Sequence, residues 1–423
     1  MCMPLALADA TANMADIFDG VHEMTEIESF RGEARDWLEK NCPKEMRDGA
    51  IGEEFVCWGG KTWKFQSEAQ KIWLERMSAK GWTVPAWPKD YGGAGLSKED
   101  TKALKAEMAR MKMRSPLESF GIWMLGPALL KYGTHEQKKH FLLPVARGEI
   151  RWCQGYSEPN AGSDLASLQC KCEDKGDHWL VNGQKVWTSY ADKCDWIFVL
   201  VRTDPKAAKH DGISFILIDM ASKGVSTKPI RLISGNSPFC ETFFDNVKVP
   251  KEHAPGVSAI VGEINRGWDV AKYLLTHERE MIGAGGSGLF AGRGLGEVAA
   301  QEIGLEGGRL ADPILRAKIA QAEIDGWSFL LTIERMKDEA KAGAGMGAAS
   351  SVLKYYGAEI NKRRFEIAMD SGGSDALEWE GKDAEVGKTA KTWLRTKANS
   401  IEGGTSEVQL NIISKRILEL PDA

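Results

Sequence analysis

Four short stretches of the chain gather residue types that do chemistry rather than only pack. Tyr156-Ser-Glu-Pro-Asn-Ala-Gly-Ser-Asp164 sets hydroxyls and turn-forming backbone N–H groups in a row, which suits a ligand rich in hydrogen-bond acceptors. Taken alone it is equally an ordinary Asn/Gly/Ser turn. Trp187-Thr188-Ser189 places a large rigid ring beside two hydroxyls, a surface for a flat, partly polar ring system, although a chain with 15 tryptophans has many that only fill a core. Gly403-Gly-Thr-Ser-Glu-Val-Gln409 is a flexible turn ahead of a helix, with Thr405 placed to cap it. Thr276-His277-Glu278-Arg279-Glu280 concentrates charge, and such a run is most often a solvated helix face.

The elements that must position these residues follow an α, β, α order. From Ile27 to Glu149 apolar residues recur at helical spacing, as in Phe30, Ala34, Trp37 and Leu38, and again over Ser67 to Lys80. From Ile150 to about Pro250 the pattern changes to short β-branched and aromatic runs, Trp179–Val181, Lys185–Ser189, Trp196–Val201, Ile213–Ile218 and Glu241–Val249. Turn residues at Asn182-Gly183, Lys209–Gly212 and Asp245-Asn246 punctuate them, which predicts an antiparallel β-domain. A helical pattern returns after Gly267, notably over Leu315 to Lys341, with a Gly/Ala-rich break at Gly343–Ala349. The fold class is thus α+β: an extension at 1–26, an N-terminal helical domain at 27–149, a middle antiparallel β-domain at 150–266 and a C-terminal helical bundle at 267–423.

Composition narrows the function classes. A chain of 423 residues with 43% apolar content buries a large core, and a net charge of −5 offers no general field for nucleic acid or an anionic membrane. No apolar run approaches a membrane span. Eight scattered cysteines without a CxxC pair read as reduced thiols, and seven histidines without ligand spacing give no metal site. A cytoplasmic protein is the simplest expectation. Gly283-Ala-Gly-Gly-Ser-Gly288 matches the G-x-G-x-x-G dinucleotide pattern but follows a charged helical run instead of a strand, so close helix packing is the better reading.

Six segments, in order, resemble signature stretches of the FAD-dependent acyl-CoA dehydrogenase family. They are Gly81-Trp-Thr-Val-Pro-Ala-Trp-Pro-Lys-Asp-Tyr-Gly-Gly-Ala-Gly-Leu96, Lys131-Tyr-Gly-Thr-His-Glu-Gln-Lys138, Cys153-Gln-Gly-Tyr-Ser-Glu-Pro-Asn-Ala-Gly-Ser-Asp164, Asn182-Gly-Gln-Lys-Val-Trp-Thr-Ser189, Phe243-Phe-Asp-Asn-Val-Lys-Val-Pro250 and Ile401-Glu-Gly-Gly-Thr-Ser-Glu-Val-Gln409. The resemblance implies that Gln154, Tyr156 and Ser157 line the flavin ring. It puts Gly162 and Ser163 where FAD phosphate or acyl-CoA is met, Trp187 against the flavin, Ser189 near its N5, and Thr405 and Glu407 close to FAD. Two segments depart from the family pattern. Ala300-Gln-Glu-Ile-Gly-Leu-Glu-Gly-Gly-Arg-Leu310 lacks the usual Arg-x-x-Phe-Gly, and Met369-Asp-Ser-Gly-Gly373 has Met where Gln is expected, so the hold on the adenine end of FAD does not carry over.

The implied reaction removes the α-proton of an acyl-CoA thioester with a carboxylate while hydride leaves the β-carbon. Many family members carry the base directly before the Gly-Thr of the last motif, a position that is Gly403 here, with Glu402 one residue early. A subset carries it on the central helix before an Arg, which selects Glu278 as catalytic base, Glu402 as the alternative, and Arg279 with Ser163 on the substrate side. The implied partners are an acyl-CoA, an electron-transfer flavoprotein, and further subunits, either copies or a homologue. Competing expectations are non-oxidative elimination or a flavin monooxygenase on the same fold, or a non-catalytic partner subunit.

Overall fold

The computed structural model describes residues 27–50, 55–284, 294–342, 347–381 and 387–421. The N-terminal helices are α1 (27–41), α2 (Glu68–Ala79), α3 (Lys98–Arg110), a π-helical turn (Gly121–Leu125), α4 (Gly126–Tyr132) and α5 (His135–Ala146). Their ends are set by side chains that satisfy the first-turn N–H groups. Ser67 accepts from Gln70 N ahead of α2, and Thr134 with Gln137 forms a reciprocal capping box on α5. Gln137 does more than cap. Its amide also donates to Ser258 O at 2.7 Å and Ile260 O at 2.8 Å, fastening α5 to the strands that follow.

Those strands are β1 (Trp152–Gly155), β2 (Lys171–Asp174), β3 (His178–Ser189), β4 (Trp196–Arg202), β5 (Ile213–Asp219), β6 (Val225–Ile230), β7 (Phe239–Pro250), β8 (Glu252–Ala254) and β9 (Val257–Ser258). The main sheet runs β1-β4-β2-β3-β7-β6, with β5 also on β4. Alternation explains its two-sided burial. Phe198, Leu200, Phe215 and Leu217 face a core shared with Leu125, Phe141 and Trp152, while Ile197, Val199, Ile216 and Ile218 face a second core with Val181, Cys240 and Val247.

Three expectations need correcting. Asn182-Gly183 and Asp245-Asn246 are not hairpin turns: β3 and β7 run through them as paired strands, with a register shift between Val181 and Gly183. Gly183 at φ 153° and Asn246 at φ 51° absorb the irregularity locally, which is how a bulge uses residues that also favour turns. The sheet is mostly but not wholly antiparallel, because β1 joins β4 in parallel. The strands β1, β2 and β6 complete a domain that the β-branched runs had only partly outlined.

The C-terminal part comprises α6 (Gly267–Ala284), α7 (Leu295–Ile303), the short pair β10 (Leu305–Glu306) and β11 (Arg309–Leu310), α8 (Pro313–Lys341), α9 (Ser350–Gly372), α10 (Lys388–Thr396) and α11 (Ser406–Arg416). α9 packs against α6, α7, α8, α10 and α11 and so forms the bundle's centre. Gly267 seats the start of α6 directly on β5, where a Cβ would come within 2.4 Å of the Phe215 nitrogen. Most of Gly283–Gly288 lies outside the described residues.

Candidate functional site

The polar turn after β1 is held from below by a buried ion pair. Lys185 on β3 is fully buried, and its ammonium donates to Glu158 Oε1 at 2.8 Å and to the Tyr156 carbonyl at 3.0 Å. Glu158 in turn accepts from the backbone N–H groups of Gln169 at 2.7 Å and Cys170 at 2.9 Å, so none of the buried charge is left unmatched. Val186 N donates to Ser157 O at 2.9 Å, which draws the Trp187–Ser189 stretch alongside the turn. Ser157 therefore stands beside the residue before Trp187, whereas the Tyr156 ring turns into the core against Phe198 and Phe215. Gly162 and Ser163 lie farther along the turn and are exposed.

Trp187 is not a core residue. It is 54% exposed and has a left-handed backbone, φ 61°, inside the register shift between Lys185 and Thr188. A non-glycine residue held there stores backbone strain, the kind of feature that re-aims a side chain at a ligand. Thr188 points the other way, bonding Cys240 O at 2.8 Å and the Thr242 hydroxyl at 2.7 Å. Trp187 meets Phe239 edge-on at 6.0 Å.

Phe239 links this end of the sheet to the last motif. The Arg395 guanidinium lies 5.9 Å from its ring centre and pairs with Glu402 at 2.8 Å. Glu402 also accepts from Asn399 Nδ2 at 2.6 Å, and the Asn399 carbonyl is held by the buried Lys354 at 3.0 Å. Burial pushes the Lys354 ammonium below the ordinary lysine range, while nearby Glu402 acts in the opposite direction. Glu402 is thus committed to a structural clasp.

Beyond Glu402 the chain turns through Gly403 at φ 65° and Gly404 at φ 93°, and a Cβ on Gly404 would meet Gln409 Nε2 at 2.5 Å. Thr405 then caps α11, accepting from Val408 N at 3.2 Å, a contact worth about 1 kcal/mol. Glu407 stands exposed in the first turn, its carboxyl held below the usual range by its own backbone N–H and by the Thr405 hydroxyl.

Gln409 Oε1 and Ser406 Oγ are buried there without a hydrogen-bond partner, Gln409 being only 1% exposed. Buried polar atoms left in this state are rare, and a water or a ligand group would satisfy them. An acceptor and a hydroxyl beside glycine backbone fit the hydroxyls and amide-like edges of a flavin dinucleotide, so the residues present match the cofactor that the motifs imply. A cavity of about 1060 Å³ lies elsewhere, among Trp37, Trp63 and Trp82 of the N-terminal domain, and none of the candidate flavin residues lines it.

Glu278 and Arg279 lie on α6, but their side chains fall outside the described residues. Among the described residues no group of His, Cys, Asp or Glu is arranged to hold a metal ion, and no helix is long and apolar enough to cross a membrane. Sequence reasoning missed Glu158, Lys185, Phe239 and Arg395. The first two sit inside quoted motifs, yet Lys185 read as a simple strand residue and nothing marked it as the partner of a residue 27 positions earlier.

Three family models cover nearly the whole chain: acyl-CoA dehydrogenase N-terminal domain over residues 24–149, middle domain over 153–247 and C-terminal domain over 265–418. The acyl-CoA dehydrogenase IpdE1 of Mycobacterium tuberculosis (strain ATCC 25618 / H37Rv) is 34% identical over 404 residues, 94% of this chain and 99% of that protein. The chain belongs to the acyl-CoA dehydrogenase family. As a member it is an FAD-dependent oxidoreductase. Among solved structures, a Tcur3481-Tcur3483 steroid ACAD is similar at TM-score 0.72 and 29% identity, covering 94% of this chain and 98% of that one. The ChsE4-ChsE5 complex from Mycobacterium tuberculosis is similar at TM-score 0.70 and 28% identity, again covering 94% and 98%. The Ser157–Trp187 junction and the Ile401–Gln409 motif are the two halves of one candidate site, joined here by Phe239 and Arg395.

Proposed function

We propose that this acyl-CoA dehydrogenase desaturates the α and β carbons of a bulky, ring-bearing acyl-CoA thioester, with Glu278 as the base and an electron-transfer flavoprotein as electron acceptor. The observation that carries the reading is the clasp from Trp187 through Phe239 and Arg395 to Glu402, which brings the two flavin-type motifs to one place. Bound FAD supplies the hydride acceptor. The chain's own residues do the rest. Lys185 and Glu158 fix the backbone of the turn, Trp187 offers a ring face, Ser406 and Gln409 present polar atoms, and α6 carries the carboxylate that takes the α-proton. Glu402 is engaged by Arg395 and Asn399, which supports Glu278 over it.

The printed description of the Tcur3481-Tcur3483 pair as a steroid ACAD supports a ring-bearing substrate, and that pair with the ChsE4-ChsE5 complex supports assembly with a homologous subunit. α8 offers a surface for it, with Ile324, Trp327 and Leu331 exposed along one stripe. The same reading divides the chain at 149/150 and 266/267, where helices give way to strands and back, and places the protein in the cytoplasm.

Anaerobic mixing of purified protein with a panel of acyl-CoAs tests the function. Loss of the flavin's visible absorbance with a ring-bearing thioester is expected. Turnover that leaves the flavin oxidised would replace desaturation by elimination, dependence on oxygen insertion would indicate a monooxygenase, and a colourless chain would indicate a non-catalytic subunit.

A further inference from the structure

Four aromatic side chains from three separate segments stand in an unbroken row. Ring centroids are 5.3 Å apart between Phe120 and Trp123, 5.8 Å between Trp123 and Trp58, and 5.3 Å between Trp58 and Tyr190. None of the four is fully buried, unlike Trp73 and Trp152, which serve the cores and are completely enclosed.

Both ends of the row adjoin elements that carry proposed site residues. Trp123 lies in the π-helical turn and Phe120 directly precedes it; the turn packs against α6 and β1, and single π-helical turns inside α-helical segments are frequent at functional sites. Tyr190 directly follows Ser189, with a left-handed backbone at φ 52° and its N–H bonded to Pro238 O at 2.8 Å.

The row is also held from behind. Arg151 is buried and lies 4.8 Å from the Trp58 ring centre and 5.1 Å from that of Tyr190. Asp195 Oδ2 accepts from Arg151 N at 2.8 Å and from Lys61 N at 3.0 Å, which ties the loop carrying Trp58 to the β-domain. At the other end the Glu118 carboxyl meets Trp123 and Ser115, and Glu118 N donates to Cys57 O at 2.8 Å beside Trp58. Rings so fixed lose little freedom when something packs on them.

We propose that the row Phe120, Trp123, Trp58 and Tyr190 is the specificity-determining wall of the acyl site and favours a rigid fused-ring acyl group over a flexible chain. This rests on the reading that the acyl thioester lies between Ser189 and α6. A pre-set wall of large aromatic faces gains contact area from a rigid ring system without freezing torsions, whereas a straight chain loses rotational freedom bond by bond on the same surface.

The test compares decahydronaphthalene-propanoyl-CoA with octanoyl-CoA on the holoenzyme and on Trp58→Leu, Trp123→Leu, Trp58→Phe and Trp123→Phe. The wild type is expected to prefer the fused-ring thioester. Each Leu variant should lose at least about tenfold in kcat/KM for it, mostly through KM, within the roughly 10–200-fold that apolar pocket contacts discriminate. Octanoyl-CoA should lose severalfold less than the fused-ring thioester, and the Phe variants should recover most of the loss. Parallel losses on both thioesters, or no loss on either, would overturn the assignment. Quenching of wild-type tryptophan fluorescence by non-reacting thioether analogues reads the wall without any variant: stronger quenching and tighter binding for the fused-ring analogue support it, and equal behaviour of the two analogues contradicts it. If neither thioester bleaches the flavin yet the fused-ring analogue still binds more tightly, the wall stands and the desaturation reading fails.

Discussion

Arg395 grips both oxygens of Glu402, with Nη1 at 3.2 Å from Oε1 and Nη2 at 2.8 Å from Oε2. The pair stands where a base would otherwise be sought, one residue before a Gly-Gly turn that the backbone bends through left-handed angles. A carboxylate occupied by a guanidinium and an amide is poorly placed to take a carbon-bound proton, and its role is to seat the 397–404 corner against Phe239.

Glu402→Gln should therefore leave flavin reduction close to the wild-type rate and lower stability by no more than about 1 kcal/mol, because both partners of the ion pair are partly exposed. Arg395→Met, which also removes the contact with Phe239, should release FAD more readily. Thermal unfolding and the ratio of flavin to protein after gel filtration check both. A Glu402→Gln protein that binds substrate but does not reduce its flavin would return the base to the last motif.

Trp187→Ala should change folding stability little, since more than half of the side chain is exposed. FAD occupancy should fall markedly. Full FAD content with unchanged affinity would remove the stacking role.

Lys185→Met should be far more damaging, by about 3–5 kcal/mol, because it strands the Glu158 charge in a buried site. Adding Glu158→Gln should give a total below the sum of the two single losses, as groups in one network couple. Chemical denaturation of the two single variants and the double variant checks this, and strict additivity would contradict the network.

Glu107 sets part of the acid stability. Its buried carboxylate is bonded first by Arg35 and also by Arg110 and Arg31, which holds it at about 2, below the ordinary 4.5. A carboxyl depressed by folding stabilises above its unfolded value and loses that stabilisation as pH falls from about 4.5 to about 2. Glu107→Gln should lower stability at neutral pH and flatten this acid limb. An unchanged limb would show that other carboxyls govern it.

How much of this was legible beforehand follows from the range of the interactions. The Thr405 cap was readable because a capping hydroxyl and its N–H partner lie three residues apart. The buried runs of β4 and β5 were equally plain from their β-branched composition. Asn182-Gly183 misled because a bulge and a hairpin turn draw on the same permissive residues, and only pairing across to β7 separates them. The Trp187–Phe239–Arg395–Glu402 clasp and the Phe120–Tyr190 row join segments far apart in sequence, and no local pattern encodes such meetings.

The most direct test of the account is stopped-flow flavin reduction of Glu278→Gln by a substrate that bleaches the wild type. The substitution keeps shape and hydrogen bonding but removes the proton acceptor. Normal FAD content, normal acyl-CoA binding and reduction slowed by about 10²–10⁴-fold are expected, with Glu402→Gln fast beside it. Reduction of Glu278→Gln at the wild-type rate would contradict it.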